Sequence, residues 1–151
     1  ESSMFAGLEV FCLPVVEDEV HSSQRLLEML EQRCVEWDAL PPESDLGCVE
    51  YKWRLGTKHS GHERLQRLAT QMLFRLAEGG GTAFYLLGVH DSGDAVGLPS
   101  SEHVDTVRVM MQAAHAANKV LLLEALSGRR RGKQCSAWSV RDRGSAVEQA
   151  S

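Results

Sequence analysis

The stretch from Cys48 to Leu98 constrains the fold most, because strand, helix and turn patterns follow one another there without overlap. Apolar and polar residues alternate from Val49 to Leu55, which predicts a strand with one buried face. Apolar residues then recur at helical spacing from Leu65 to Leu76, and three glycines, Gly79 to Gly81, follow. This pattern predicts an amphipathic helix with a glycine stop.

A turn and a second helix are expected next. Ala83–Val89 and Asp94–Leu98 flank the turn-prone residues HDSG, which predicts a β-hairpin. Ser100 or Ser101 is a good first residue for an amphipathic helix that ends near Asn118. Because the segment Ala83–Val89 is apolar on both faces, we expect the N-terminal helix or a neighbouring domain to cover its second face.

Two further apolar segments, Val120–Leu126 and Gln134–Val140, are expected to pair as antiparallel strands. The order of elements predicts an α+β fold with a mainly antiparallel sheet of βαββαβ order. Two helices are expected to cover this sheet, and an N-terminal helix and an extra C-terminal strand are expected to be added to it.

The N-terminal region is interpreted as an arm. A short strand is predicted around Leu8–Leu13, a helix from Ser22 or Ser23 to about Trp37, and a connector over Leu40–Gly47. A chain that begins at Glu1 rather than at a methionine is expected to be part of a longer protein. The predicted organisation is an arm at 1–40, an α+β accessory domain at 41–143, and a flexible tail at 144–151 that leads to a G domain absent here.

Composition excludes several classes of protein. With 151 residues, 43% of them hydrophobic and 25% charged, the chain is expected to form one soluble domain. A net charge of -5 argues against binding nucleic acid through overall charge, although a local basic patch remains compatible with it. No apolar run is long enough for a membrane span or a signal peptide, so a cytoplasmic location is expected.

The four cysteines, Cys12, Cys34, Cys48 and Cys135, are scattered and include no CxxC pair. Such spacing does not hold zinc, and free thiols are expected in a cytosolic protein. No metal site is predicted from histidine spacing either, because HxxH at His59 and His62 lacks a third ligand nearby.

The sequence GRRRGKQ, at Gly128–Gln134, contains four cations in one short loop. It is not a nucleotide-binding loop, because it has three residues between its glycines instead of four and no Ser or Thr after the lysine. Two interpretations remain, a solvated hairpin loop or an RNA anchor. The candidate nucleic-acid-binding residues are Arg129, Arg130, Arg131 and Lys133, with Lys52 and Arg54 on the polar face of the first strand.

Carboxylates offer one candidate for catalysis. Glu50 with Asp91, or Asp45 with Glu50, could hold magnesium beside a phosphodiester, while the alternative for each residue is a turn or cross-strand role. No sequence motif of a nucleophile is present. The chain by itself is therefore not predicted to be an enzyme.

A family resemblance rests on five short motifs. From Leu40 to Arg141 the chain resembles the region before the GTPase domain in translational GTPases of the GTP-binding protein 1 and 2 type, relatives of elongation factor Tu. The motifs are PPE at Pro41–Glu43, EYK at Glu50–Lys52, TQM at Thr70–Met72, GV followed by DSG at Gly88–Gly93, and VGL at Val96–Leu98.

The resemblance implies a full-length protein that binds and hydrolyses GTP with magnesium and acts in translation. This chain would be its non-catalytic accessory domain, with no cofactor of its own. The implied partners are the protein's own G domain and tRNA, the ribosome or RNA-turnover machinery, and no membrane.

The same order of EYK, helix, GG and GVxDxG also resembles the Schlafen-type AlbA-like domain. That resemblance implies nucleic-acid binding and, as the alternative function, metal-dependent ribonuclease activity. Asp45, Glu50 and Asp91 would be the nuclease site, although His90 stands where that group often has an acidic residue.

Overall fold

Helices and strands alternate along residues 22–56 and 61–144, the part of the chain that the computed structural model describes. The helices are α1 at 22–31, α2 at His62–Glu78 and α3 at Ser100–Ala116. The strands are β1 (Val49–Lys52), β2 (Ala83–Leu87), β3 (Leu98–Pro99), β4 (Lys119–Leu126), β5 (Lys133–Gln134) and β6 (Ser136–Asp142). A 3-10 turn at Trp37–Ala39 lies between α1 and β1.

Four strands form the main sheet, in the order β1-β2-β6-β4. β1 and β2 are parallel and are joined by α2, whereas β6 is antiparallel to both β2 and β4. β2 and β4 therefore run in the same direction with β6 between them, which is a split βαβ arrangement. β3 and β5 form a separate antiparallel pair. The predicted α+β class and mainly antiparallel pairing are confirmed, as is the pairing of the last two apolar segments.

Both faces of the sheet are covered at β2, which is buried along its whole length. The first core, between the sheet and helices α2 and α3, contains Ala83, Tyr85, Leu87, Met72, Met110 and Ala113. The second core, between the sheet and α1, contains Phe84, Leu86, Leu26 and Leu30. Burial of each leucine contributes about 1.5–3 kcal/mol. The N-terminal helix is thus the element that covers the second apolar face of β2.

The predicted hairpin at Ala83–Leu98 is wrong, because β3 pairs with β5 and not with β2. Gly97 N–H donates to the Gly88 carbonyl at 2.9 Å, and both glycines have positive φ, 83° and 85°. A Cβ on Gly88 would lie 3.1 Å from the Gly97 Cα. The two arms are therefore joined by this bond and by the bond from His90 N–H to the Asp94 carbonyl in the turn, and do not form a strand ladder with each other.

Two elements end earlier than predicted. α1 ends at residue 31 and not near Trp37 as predicted. Arg33 then adopts a positive φ of 58°, which turns the chain. β1 ends at Lys52, and three residues later Leu55 contacts α3, where its N–H donates to Thr106 Oγ1 at 3.0 Å. The strand predicted around Leu8–Leu13 lies outside the described residues.

Candidate nucleic-acid interface

The loop between β4 and β5, together with the first residue of β5, presents four cations to solvent. Arg130 N–H donates to the Lys133 carbonyl at 2.9 Å, and Lys133 N–H donates to the Arg130 carbonyl at 3.0 Å. Arg131 and Gly132 complete this turn with φ values of 56° and 74°. Because the backbone bonds are made within the turn, the side chains of Arg129, Arg130, Arg131 and Lys133 are left exposed.

These four side chains line one groove of about 720 Å³, called here the basic groove. The other side chains and backbone that line it include Trp37, Asp38, Ala95, Val96 and Gly97. Arg130 lies on Asp38, with Nη2 and Oδ2 3.4 Å apart and both side chains about 80% exposed (80% and 79%). Such an exposed pair contributes little to stability. Among the described residues, no ion pair involves Arg129, Arg131 or Lys133.

His103 lies near Arg129 but does not add a charge to the basic groove at neutral pH. Burial lowers the pKa of His103, and the positive charge of Arg129 lowers it further. Its Nε2 lies 2.6 Å from Ser136 Oγ, which also accepts a hydrogen bond from Trp138 Nε1 at 2.7 Å. The neutral imidazole can make this bond in either tautomer, as acceptor or as donor, without carrying a charge.

The structure does not bring Lys52 and Arg54 into the basic groove. Lys52 Nζ lies 3.4 Å from Glu50 Oε2, and it lines a second groove of about 310 Å³ with Arg64 and Arg67. Arg54 donates to Glu102 at 2.9 Å and stacks over the Trp53 ring at 4.6 Å. These two cations therefore lie outside the basic groove, and each already has an acidic partner.

Glu50, the centre of the alternative nuclease site, is buried against a cation. Its Oε1 accepts a hydrogen bond from Arg75 Nε at 2.8 Å, and both side chains are 5% exposed. The other nitrogens of Arg75 donate to the backbone carbonyls of Ser44, Leu46 and Gly47. Within residues 22–56 and 61–144, no group of three or more His, Cys, Asp or Glu side chains is placed to hold a metal.

Glu43 takes the place beside Glu50 that the sequence suggested for Asp45. Its carboxylate accepts the Tyr51 N–H at 2.6 Å, and its own N–H donates to the Asp91 carbonyl at 2.7 Å. Burial raises the pKa of Glu43 to about 7; the bond from Tyr51 opposes this shift, and Glu50 and Asp91 add to it. Asp45 itself is exposed.

The pH dependence of stability is expected to reflect Glu43. Its carboxyl has a pKa of 4.5 in the unfolded chain and about 7 when folded, so the folded protein alone holds the proton between these values. The free energy of unfolding therefore falls as the pH rises through this window. We expect Tm to drop by about 2–5 °C from about pH 5 to about pH 7.5, a magnitude reduced by the partial exposure of Glu43.

Calorimetry of Glu43→Gln tests this expectation, because the variant should lose most of that drop. Asp45→Asn is the matched control, since it removes an exposed carboxyl two residues away. An unchanged slope in Glu43→Gln would show that other groups cause the pH dependence.

Three of the motifs that carry the family resemblance touch one another. Glu43 of PPE bonds to Tyr51 of EYK and to Asp91 of DSG, and the Tyr51 hydroxyl donates to the Pro41 carbonyl at 2.7 Å. Met72 of TQM and Leu98 of VGL are buried. The motifs thus describe how the connector, β1 and the turn after β2 pack together.

A second surface is apolar. Val104 and Met111 of α3 and Leu123 and Leu126 of β4 are each about half exposed, at 55%, 54%, 47% and 52%. A groove of about 500 Å³ runs between α3, β4 and β6. An exposed apolar area of this kind is typical of a surface that contacts another protein or domain.

The described cysteines, Cys34, Cys48 and Cys135, are free thiols, and burial raises the pKa of Cys135 to about 11. No helix among the described residues is long and apolar enough to cross a membrane.

Comparison with known proteins supports a relationship of the GTP-binding protein 1 and 2 type. The chain is 40% identical to GTP-binding protein 2 of mouse over 75 residues, half of its length, and equally similar to GTP-binding protein 2 of human. It spans 12% of the length of each of these relatives. No protein-family model and no solved structure matches the chain.

Proposed function

We propose that this chain is a non-catalytic accessory domain of a GTP-binding, elongation-factor-like translational GTPase and that its basic groove binds RNA. The likeness to GTP-binding protein 2 supports the first part. The second part rests on one observation, that four exposed cations line a single groove in a chain of net charge -5. Clustered Lys and Arg side chains supply the salt-dependent affinity of proteins for nucleic-acid phosphates.

GTP and magnesium belong, in this proposal, to another domain of the full-length protein. The loop Gly128–Gln134 lacks the spacing and the Ser or Thr of a phosphate-binding loop. The proposed RNA partner is tRNA, ribosomal RNA or an RNA under turnover in the cytoplasm. The protein's own G domain is the other proposed partner, and the apolar surface of α3 and β4 suits that contact.

Nothing in the geometry favours the alternative, a metal-dependent ribonuclease. Glu50 is committed to Arg75, and among the described residues Asp45 makes no hydrogen bond or ion pair with Glu50 or Asp91. Magnesium-dependent cleavage of tRNA by the purified chain would overturn the non-catalytic part of the proposal.

Removing the loop arginines is expected to weaken RNA binding. For Arg129→Ala/Arg130→Ala/Arg131→Ala we expect affinity for a tRNA transcript to fall on the order of tenfold or more near physiological salt, because phosphate contacts are lost. The slope of log K against log salt should become shallower by about 2. Fluorescence anisotropy across a salt series measures both quantities.

The matched control removes the same charge elsewhere. Arg25, Arg108 and Arg143 are exposed and line neither the basic groove nor the groove at Lys52, so changing these three to Ala alters net charge equally. Equal losses in the two triple variants would mean that overall charge, and not the basic groove, determines binding.

A further inference from the structure

The basic groove has an aromatic lining as well as a cationic one. Trp37 packs partly against the second core and is partly exposed, and it lines the groove together with Ala95 and Val96. Val96 is 44% exposed. A groove that needed only to attract phosphates would not require this apolar lining.

The two linings match the two parts of a nucleotide. Arginine and lysine bind the phosphate, while an indole ring offers a surface on which a base stacks. In a duplex the base faces are covered by their neighbours, so an aromatic side chain gains nothing from them. A groove volume of about 720 Å³ lies within the range of about 300–1,000 Å³ that proteins use for compact ligands.

The Asp38 carboxylate lies beside Arg130, in a position that a bound phosphate could take. The carboxylate oxygens lie 3.4 Å from Nη1 and Nη2 of Arg130, and Asp38 follows Trp37 directly in the 3-10 turn. Both groups are exposed, so the pair is weak and a phosphate can displace the carboxylate at little cost.

We infer that the basic groove binds an unpaired segment of RNA, with one base stacked on Trp37 and a phosphate on Arg130 in place of Asp38. This inference rests on the proposed function, because it specifies the form of RNA that the groove takes. Trp37 provides the preference for single strands, and Asp38 lowers the affinity until a phosphate replaces it.

The test compares a fluorescein-labelled oligouridylate of about 12 nucleotides with an RNA duplex of equal length. Trp37→Ala should weaken binding of the oligouridylate by about five- to hundredfold, the range expected for the loss of one base–aromatic stack. The affinity of Trp37→Ala for the duplex should stay within about twofold of that of the protein without the substitution. Asp38→Asn should strengthen binding of the oligouridylate by about two- to fivefold.

Trp53→Ala is the control, because Trp53 is also partly exposed and lies beside an arginine, yet it does not line the basic groove. It should bind both RNAs like the unchanged protein. Thermal melts of each variant confirm folding, and a variant with a changed melt is replaced by Trp37→Leu, which keeps the apolar packing.

Three outcomes separate the claims. If the Trp37 variants weaken oligouridylate and duplex equally, or not at all, the inference is wrong while RNA binding by the basic groove stands. If Asp38→Asn leaves affinity unchanged or lowers it, displacement of Asp38 is wrong. If the triple arginine variant binds RNA normally, the proposed function itself is wrong.

Discussion

Replacing Arg75 by methionine is expected to destabilise the protein by about 3–5 kcal/mol, more than any other single substitution proposed. The substitution leaves the Glu50 carboxylate buried without its partner, since both side chains are 5% exposed and their bond is 2.8 Å long. It also removes the donors to three backbone carbonyls of the connector before β1. Equilibrium unfolding in urea measures the loss.

Two variants distinguish this mechanism from a general effect on the helix. Arg67→Met lies on the same helix, but its pair with Glu63 is exposed and 3.6 Å long, so the expected loss is below about 1 kcal/mol. The double variant Arg75→Met/Glu50→Gln should recover part of the stability, because no unpaired charge remains buried. A loss in Arg75→Met no greater than that in Arg67→Met would show that the buried pair does not hold the connector.

Gly93→Ala is expected to destabilise by about 2–4 kcal/mol, the second largest effect. Gly93 has a φ of 96°, which L side chains rarely adopt, and its backbone touches the connector. A Cβ there would lie 2.5 Å from the Leu40 carbonyl oxygen and 2.8 Å from that of Pro41. The turn and the connector would have to move apart, which also strains the bond from Glu43 to Asp91.

Two control glycines distinguish backbone strain from steric contact with the connector. Gly80 has a φ of 65° and open space around its Cβ position, so Gly80→Ala should cost only the backbone strain, about 1 kcal/mol. Gly128 also has open space and no positive φ, and Gly128→Ala should change stability by less than about 0.5 kcal/mol. If urea unfolding gives the same loss for Gly93→Ala and Gly80→Ala, steric contact with the connector is unimportant.

Local patterns predicted the elements whose information lies within their own residues. The apolar spacing from Leu65 to Leu76 lies within the observed α2, and the alternation that begins at Val49 is a strand. Each pattern arises from a single buried face, and the spacing of apolar residues within one short segment is enough to identify it. The buried ion pair of Arg75 is less evident from the sequence. Arg75 stands three residues after Met72 on the apolar side of α2, where a charged side chain needs a partner.

The errors and omissions have a common physical origin, which is contact between distant segments. The turn after β2 resembles a hairpin locally, but Leu98 finds its strand partner at Gln134. Trp37 and Asp38 lie at the basic groove, where Asp38 pairs with Arg130, 92 residues further along the chain. The observed neighbour of Glu50 is Glu43 and not the predicted Asp45, because the connector folds back along the edge of β1. No local sequence pattern encodes that path.

The position of β6 between β2 and β4 has a consequence for how the protein folds during synthesis. Among the described strands β6 comes last in the chain, yet within that set it is the only neighbour of β4 and the inner neighbour of β2. Until residues 136–142 have left the ribosome, the β1–β2 unit and the α3–β4 unit share no strand contact. Such long-range pairing is slow and exposes apolar strand edges to chaperones or to aggregation. Ribosome-bound chains that end before Ser136 would therefore remain protease-sensitive, however complete their helices are.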